Sequence, residues 1–461
     1  MIPTRRFAKG SFVSNEYEDY VPGLNTRKSR EHYQRAKDII PGGASSHCRC
    51  YPVFTPYTLA WDQGKGSKVK DLDGNEYIDC CLSMGPLIHG HCHPRIVGAI
   101  KKQLEKGTMF AMPIELEVEV AEKIRSMVKS AEMVRFCNTG LEATMHAIRA
   151  ARGHTGKKKI IKFEGCYHGV HDYVLLATMG GPTAGPEHAP YKIPVSWGIP
   201  EETLENTILL PWNNLGVVER TVKEYANELA AVITEPIMMN IGTVPPAEGY
   251  LKGIQEVCNK HEVIFILDEI ISGFRLAPGG AQEVYGLKPD MSTFAKALGA
   301  GVPISAFTGK RDIMEKVVPG KIFHGGTYNA NPLCLAAAKE SLAMLSENSN
   351  AAFRHLEKMA LMLIDGLDNA IQKTKNRAIV QGVGAAGCQI YFSKLKKITN
   401  YREFYSAVDE AKYVRFHREM LKRDIYFHPA HSEHLFVSTV HSVEDMAKVE
   451  EAALQSMKAI E

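Results

Sequence analysis

Apolar runs that each end in one reactive side chain constrain this chain most. Val263-Ile264-Phe265-Ile266-Leu267 carries no polar residue and ends in Asp268. Strands in a parallel sheet read this way, because helices cover both of its faces. A later, shorter run, Ser292-Thr293-Phe294-Ala295, ends in Lys296 and opens into Gly299 and Gly301. Between about residues 116 and 333 such segments alternate with helical patterns. Strands are expected at 133–137, 159–163, 206–210, 230–234, 263–267, 291–295 and 305–308, and helices at 140–151, 215–228 and 251–260. The alternation predicts an α/β fold with a largely parallel sheet. Sites in such sheets lie at the carboxyl ends of strands, where Asn138, Glu235, Asp268 and Lys296 all fall.

At 461 residues the chain is too long for one core. Residues 1–80 are expected to form an N-terminal arm (1–26) and a segment that joins a small domain, residues 81–335 a large domain, and residues 336–461 a C-terminal α+β domain. In the first segment, a helix over 29–40 would bury Tyr33, Ala36, Ile39 and Ile40 on one face, and short strands follow over 57–78. A helix is expected over 94–106. In the last segment, long helices over 336–345, 351–374 and 403–422 surround short strands at 389–392 and 435–439. A net charge of +3 gives nucleic-acid binding little support, and no apolar run is long enough to span a membrane. Arg5, Arg6 and Lys9 have no apolar stretch behind them, which argues against a secretory leader. Ten cysteines without a CxxC pair point to reduced thiols and a cytoplasmic protein.

An acid at one buried strand end and an amine at another is what pyridoxal phosphate needs. The carboxylate keeps the pyridine nitrogen protonated, and the lysine carries the cofactor as a Schiff base. Lys296 lies between Phe294-Ala295 and Ala297-Leu298, where a solvated charge is out of place and desolvation lowers an amine's pKa. Asn138-Thr139-Gly140 joins a strand to a helix N-terminus; alone it is an ordinary turn, but beside Asp268 and Lys296 it is a phosphate site. Tyr167, in Gly165-Cys166-Tyr167-His168-Gly169, can stack on a flat ring. Glu235 ends another strand and can bond ring substituents, pair with an arginine or cap a helix.

Five stretches carry a resemblance to the class III, fold-type I, pyridoxal-phosphate aminotransferases, nearest their glutamate-1-semialdehyde 2,1-aminomutase branch. They are Asp71-Leu72-Asp73-Gly74-Asn75-Glu76-Tyr77-Ile78-Asp79, Gly90-His91-Cys92-His93-Pro94, Lys162-Phe163-Glu164-Gly165-Cys166-Tyr167-His168-Gly169, Asp268-Glu269-Ile270-Ile271-Ser272-Gly273-Phe274-Arg275 and Gly325-Gly326-Thr327-Tyr328-Asn329-Ala330-Asn331-Pro332. The resemblance implies that Lys296 is the Schiff-base lysine and Asp268 the pyridinium partner. Tyr167 would stack on one ring face and Ile270 pack on the other. Thr139, Gly140 and the Leu141 amide would hold the phosphate, with His168, Glu235 and Asn240 also at the cofactor. Thr327 would reach the phosphate in a neighbouring subunit, which implies a homodimer with shared sites. Arg49 would grip a substrate carboxylate bidentately.

The chain departs from the branch at the substrate. Ser83-Met84-Gly85-Pro86 stands where Ser-Trp-Gly-Pro is usual, and Gly43-Ala44-Ser45-Ser46-His47-Cys48-Arg49 replaces Gly-Val-Asn-Ser-Pro-Val-Arg. Tyr328 follows Thr327 where leucine is usual, and Leu141 takes the place of a threonine in the phosphate turn. Arg49, Ser83, Met84 and Tyr328 are therefore the substrate-binding candidates. The altered pocket favours ping-pong transfer of an amino group from a carboxylate-bearing α- or β-amino acid to a 2-oxo acid, with Lys296 moving the proton. The alternatives are an aminomutase of tetrapyrrole synthesis, which returns the amine to the adjacent carbon of one retained substrate, and a racemase or epimerase on the same scaffold. Two motifs are set aside. Gly382-Val383-Gly384-Ala385-Ala386-Gly387 precedes a strand rather than the helix a dinucleotide turn needs, and His89-Gly90-His91-Cys92-His93 reads as a turn, so no metal is expected.

Overall fold

The computed structural model describes residues 20–50, 56–178 and 183–461; most of the expected N-terminal arm lies outside them. Three antiparallel strands come first: β1 (Trp61–Lys65), β2 (Lys68–Asp71) and β3 (Glu76–Asp79). The turn between β2 and β3 is built by Asp71, whose carboxylate accepts from the amides of Asp73 and Asn75 at 3.0 and 2.9 Å and from Tyr77 Oη at 3.0 Å.

The central sheet has seven strands: β4 (Met133–Cys137), β5 (Lys159–Phe163), β6 (Thr207–Leu210), β7 (Leu229–Thr234), β8 (Ile264–Asp268), β9 (Met291–Phe294) and β10 (Ser305–Gly309). Their order is β4-β10-β9-β8-β7-β5-β6, and only β10 runs antiparallel to its neighbours. All five residues of β8 and all six of β7 are buried, as continuous apolar runs require when both faces are covered. Helix α1 (Arg27–Lys37) belongs to the N-terminal segment, and α2 (Pro94–Leu104) and α3 (Glu115–Met127) precede β4. Helix α4 (Gly140–Thr155) packs its alanines against Ile160, Ile233 and Ile266 on one face of the sheet. The helices Leu215–Tyr225 and Tyr250–Lys260 cover the other face against Ile161, Val232 and Phe265.

Strands β11 (Ala378–Gly382) and β12 (Cys388–Phe392) form a hairpin that packs on the helices Ala351–Gln372 and Glu410–Leu421. The last strand, β13 (Ile425–Tyr426), pairs in parallel with β3, so the first small sheet takes its fourth strand from late in the chain. The helix Pro332–Ser346 runs through the expected division at 335 and packs on α2 and α3. No helix among the described residues is long and apolar enough to cross a membrane.

Four local expectations are corrected. Helix α1 stops at Lys37, which leaves Ile39 81% exposed rather than on a buried face. The helix expected over 403–422 is two, Tyr401–Ala407 and Glu410–Leu421, because Val408 bridges to Ser393 and Asp409 caps the second by accepting from Lys412 N at 2.9 Å. No strand forms over 435–439. Leu435 bridges Cys388, but the Phe436 amide turns to Cys80 O at 2.7 Å and the Thr439 amide to Ile88 O at 2.8 Å. The helix expected over 215–228 ends at Tyr225.

Glu269, fully buried next to Asp268, ties down the segment that follows β8. It accepts from the Ser272 hydroxyl, from Ala281 N at 2.9 Å and from Gln282 N at 2.7 Å. Burial pushes its carboxyl above the usual range. Glu269→Ala is expected to lower the unfolding free energy by about 3 kcal/mol, since it strands buried donors. Glu269→Gln should cost less. Urea denaturation that finds both variants within experimental error of wild type would refute this role.

Candidate active site

Four carboxyl strand ends and one helix N-terminus surround a cavity of about 490 Å³. It is lined by Thr139, Gly140, Leu141, Tyr167, His168, Glu235, Asn240, Asp268, Ile270 and Lys296, which are all the expected cofactor residues except Thr327. Asp268 is fixed from both sides. Its Oδ1 accepts from Ile270 N and Thr293 Oγ1, both at 3.1 Å, and its Oδ2 from His168 Nδ1 at 2.6 Å. Burial holds the His168 imidazole below its usual range, so it serves as a neutral donor that orients the carboxylate.

Lys296 follows β9 and a short 3-10 turn begins at it. Its φ of +41° lies in the left-handed region, which a non-glycine residue avoids unless its surroundings impose it. Burial lowers the pKa of the amine, and the Glu433 carboxylate opposes that shift. Nζ donates to Met84 O at 2.8 Å. That carbonyl is presented by another left-handed stretch, Leu82, Ser83 and Met84, with φ of 47°, 55° and 67°. Asp79 starts this turn by accepting from Cys81 N and Leu82 N at 2.8 and 2.9 Å, and His91 Nε2 lies 2.7 Å from its other oxygen. His89 meanwhile bonds Thr439 and Ser341, each at 3.2 Å, so these two histidines of the alternating motif hold loops.

The phosphate turn is a capping box. Thr139 Oγ1 accepts from Glu142 N at 3.2 Å, while Glu142 Oε2 accepts from Asn138 N at 2.6 Å and Thr139 N at 3.3 Å. The first-turn amides of Gly140 and Leu141 have no intrahelical carbonyl to meet, and the Thr139 hydroxyl keeps a proton to donate. A Cβ on Gly140 would lie 3.1 Å from Ile270 Cδ1, so glycine lets the turn approach that side chain. Ser305 Oγ donates to Thr139 O at 2.6 Å and steadies the turn from β10.

Among the described residues Glu235 pairs with no arginine. It accepts from Tyr167 N at 2.7 Å and Met239 N at 3.1 Å, with Asn240 Nδ2 at 3.4 Å. Burial, reinforced by Asp268, pushes it up to about 8, so at neutral pH it carries a proton it can donate.

Arg49, Ser83 and Met84 line an adjoining cavity of about 210 Å³ with His428. Lys296 links the two cavities through Met84 O. Thr327 is exposed and Tyr328 is 64% exposed; neither lines either of these two cavities. Sequence reasoning missed Glu433, whose carboxylate also acts on Tyr167 and Cys48, and Thr293 and Ser305. Thr293 was legible as the residue three before Lys296 on a buried strand; Glu433 carried no local signal.

The family description "Aminotransferase class-III" matches residues 53–445. The chain belongs to this family. A relative named glutamate-1-semialdehyde 2,1-aminomutase from Sulfurihydrogenibium azorense is 40% identical over 440 residues, 95% of this chain and 100% of that one. Glutamate-1-semialdehyde 2,1-aminomutase 2 from Brevibacillus brevis is 41% identical over 436 residues, 94% of this chain and 99% of its own. Among solved structures, an omega-transaminase from Sphaerobacter thermophilus matches with a TM-score of 0.87 at 30% identity, over 95% of this chain and 98% of that one. The fold is thus that of the fold-type I pyridoxal-phosphate enzymes, and pyridoxal phosphate is the cofactor. The cavity fits it: a buried amine, an oriented carboxylate and free helix amides occupy one space.

Lys296→Ala is expected to cut turnover by about 10³-fold or more. Borohydride should then no longer fix pyridoxal phosphate to the protein. Covalent fixation that survives the substitution would remove Lys296 from the role.

Proposed function

We propose that the chain is an aminomutase of the glutamate-1-semialdehyde kind, which moves an amino group between adjacent carbons of one bound substrate. The observation that carries this reading is the end-to-end match, at 40–41% identity, to relatives that bear that name. It favours the alternative of the sequence reading over intermolecular transfer, which is the broader family activity.

Bound pyridoxal phosphate supplies an electron-poor ring that takes up the electron pair left when a C–H bond breaks. The chain supplies the rest. Asp268, held by His168 and Thr293, would face the ring nitrogen with its carboxylate. The Lys296 amine, kept basic but desolvated, takes a proton from one carbon and returns it to another. Thr139, Gly140 and Leu141 hold the phosphate, and Tyr167 and Ile270 the ring faces. Arg49 binds the substrate carboxylate in the adjoining cavity.

A second reading, amino transfer from an amino acid to a 2-oxo acid, is favoured by Met84 and Tyr328, where the branch carries tryptophan and leucine. One assay separates the two. Incubated with glutamate-1-semialdehyde alone, the enzyme should form 5-aminolevulinate without any added 2-oxo acid. An amine without a carboxylate should not react. No conversion of the semialdehyde, with transfer from amino acids to pyruvate or 2-oxoglutarate, would overturn the proposal in favour of the second reading.

The exposed Thr327 and Tyr328 fit a site completed by another subunit, with Thr327 serving the partner's phosphate. The enzyme should therefore elute at about twice its chain mass of 51.1 kDa by light scattering. A monomer with full activity would contradict this assembly.

A further inference from the structure

Behind the phosphate turn lies a group of side chains with no place in the reaction above. Cys137 ends β4, His146 sits one and a half turns into α4, and His324 precedes the loop of Thr327. One ligand atom from each lies within 4.8 Å of the others. Cys137 Sγ is 3.4 Å from His324 Nε2, and the two imidazoles meet edge to face with centroids 4.6 Å apart. We propose that Cys137, His146 and His324 form a binding site for a zinc-like d-block cation.

The ligand chemistry is that of zinc: one sulfur and two imidazoles, with a fourth position left for water. Zn–S bonds of about 2.3 Å and Zn–N bonds of about 2.0 Å set sulfur and nitrogen roughly 3.5 Å apart at a tetrahedral ion. The Cys137–His324 pair already has that spacing, so His146 closes the site by a small side-chain movement. Burial lowers His146 and His324 to about 4, so both present neutral rings at pH 7. Burial pushes the Cys137 thiol up to about 12, so a cation must displace its proton, and binding tightens as pH rises.

The charges around the site are mixed. Arg149 Nη1 lies 3.1 Å from His146 Nδ1 and competes for that lone pair, but Arg149 is exposed and can swing away. The Glu142 carboxylate acts on both Cys137 and His146 and favours a cation. Asn329 Nδ2, 3.3 Å from His324 Nε2, must also yield; its Oδ1 accepts from Asn138 Nδ2 at 2.9 Å. An ion here would clamp the phosphate turn to the Thr327 loop.

The test uses the purified holoenzyme, stripped with a chelator, given two equivalents of zinc per chain at pH 7.5 and passed through gel filtration. Metal analysis is expected to find one zinc per chain. Retention should fall at least tenfold in His146→Gln and in His324→Gln, and stay unchanged when the exposed Cys92 is replaced by serine. Circular dichroism and cofactor absorbance confirm that each variant is folded. If one histidine variant misfolds, the other decides. Wild-type protein that retains no zinc, or zinc retained equally by the folded histidine variants, would overturn the site and leave an S–H···N hydrogen bond in its place.

Discussion

A carboxylate at the end of a fully buried strand sets the terms for the rest of this structure. Asp268 is 3% exposed, and an unpaired charge there would cost several kcal/mol. Three donors from three elements offset that cost: Ile270 N from its own loop, Thr293 from β9 and His168 from the loop after β5. The register of the parallel strands makes this possible, since Asp268 sits opposite Thr293. The network therefore fixes the strand order near the site and aims the carboxylate.

The opposite charge is handled differently. Among the described residues no carboxylate is in hydrogen-bond contact with Lys296; its amine donates to a backbone carbonyl, and its backbone is strained. An amine so placed is held weakly and gives up its proton more readily than a solvated lysine. The left-handed stretch Leu82-Ser83-Met84, which presents that carbonyl, starts on Asp79, which His91 holds in turn. Site geometry thus reaches back to the first small sheet, because Asp79 is the last residue of β3.

What the sequence disclosed follows from locality. Buried strands are apolar runs, and turns that hold phosphate are glycine at a helix start; both are written in consecutive residues. Hence the central strands were legible, and so was the convergence of ten of the expected cofactor residues on one cavity. The broken helix at Val408-Asp409 and the missing strand over 435–439 were not, because their backbone partners, Ser393, Cys80 and Ile88, lie far away in the chain. Glu433, Cys137 and His324 were hidden for the same reason. A lone acid in a loop has no periodicity, and three metal-type ligands 9 and 178 residues apart have no spacing to recognise.

An early and a late segment of the chain meet in the sheet that pairs β3 with β13, and this decides how the smaller cavity is walled. Arg49, Ser83 and Met84 come from the N-terminal side, His428 from the segment just after β13. His428 Nε2 bonds Cys48 O at 3.0 Å, which ties the C-terminal part to the residue before Arg49. The loop that carries Arg49 is thus anchored by a backbone contact that does not depend on the side chain at 48. The chain is therefore free to carry Cys48 in place of the branch's residue without loosening the loop of Arg49. A change of side chain at 48 leaves the Asp268 network, rooted in β8 and β9, as it is, because none of its hydrogen bonds comes from that loop.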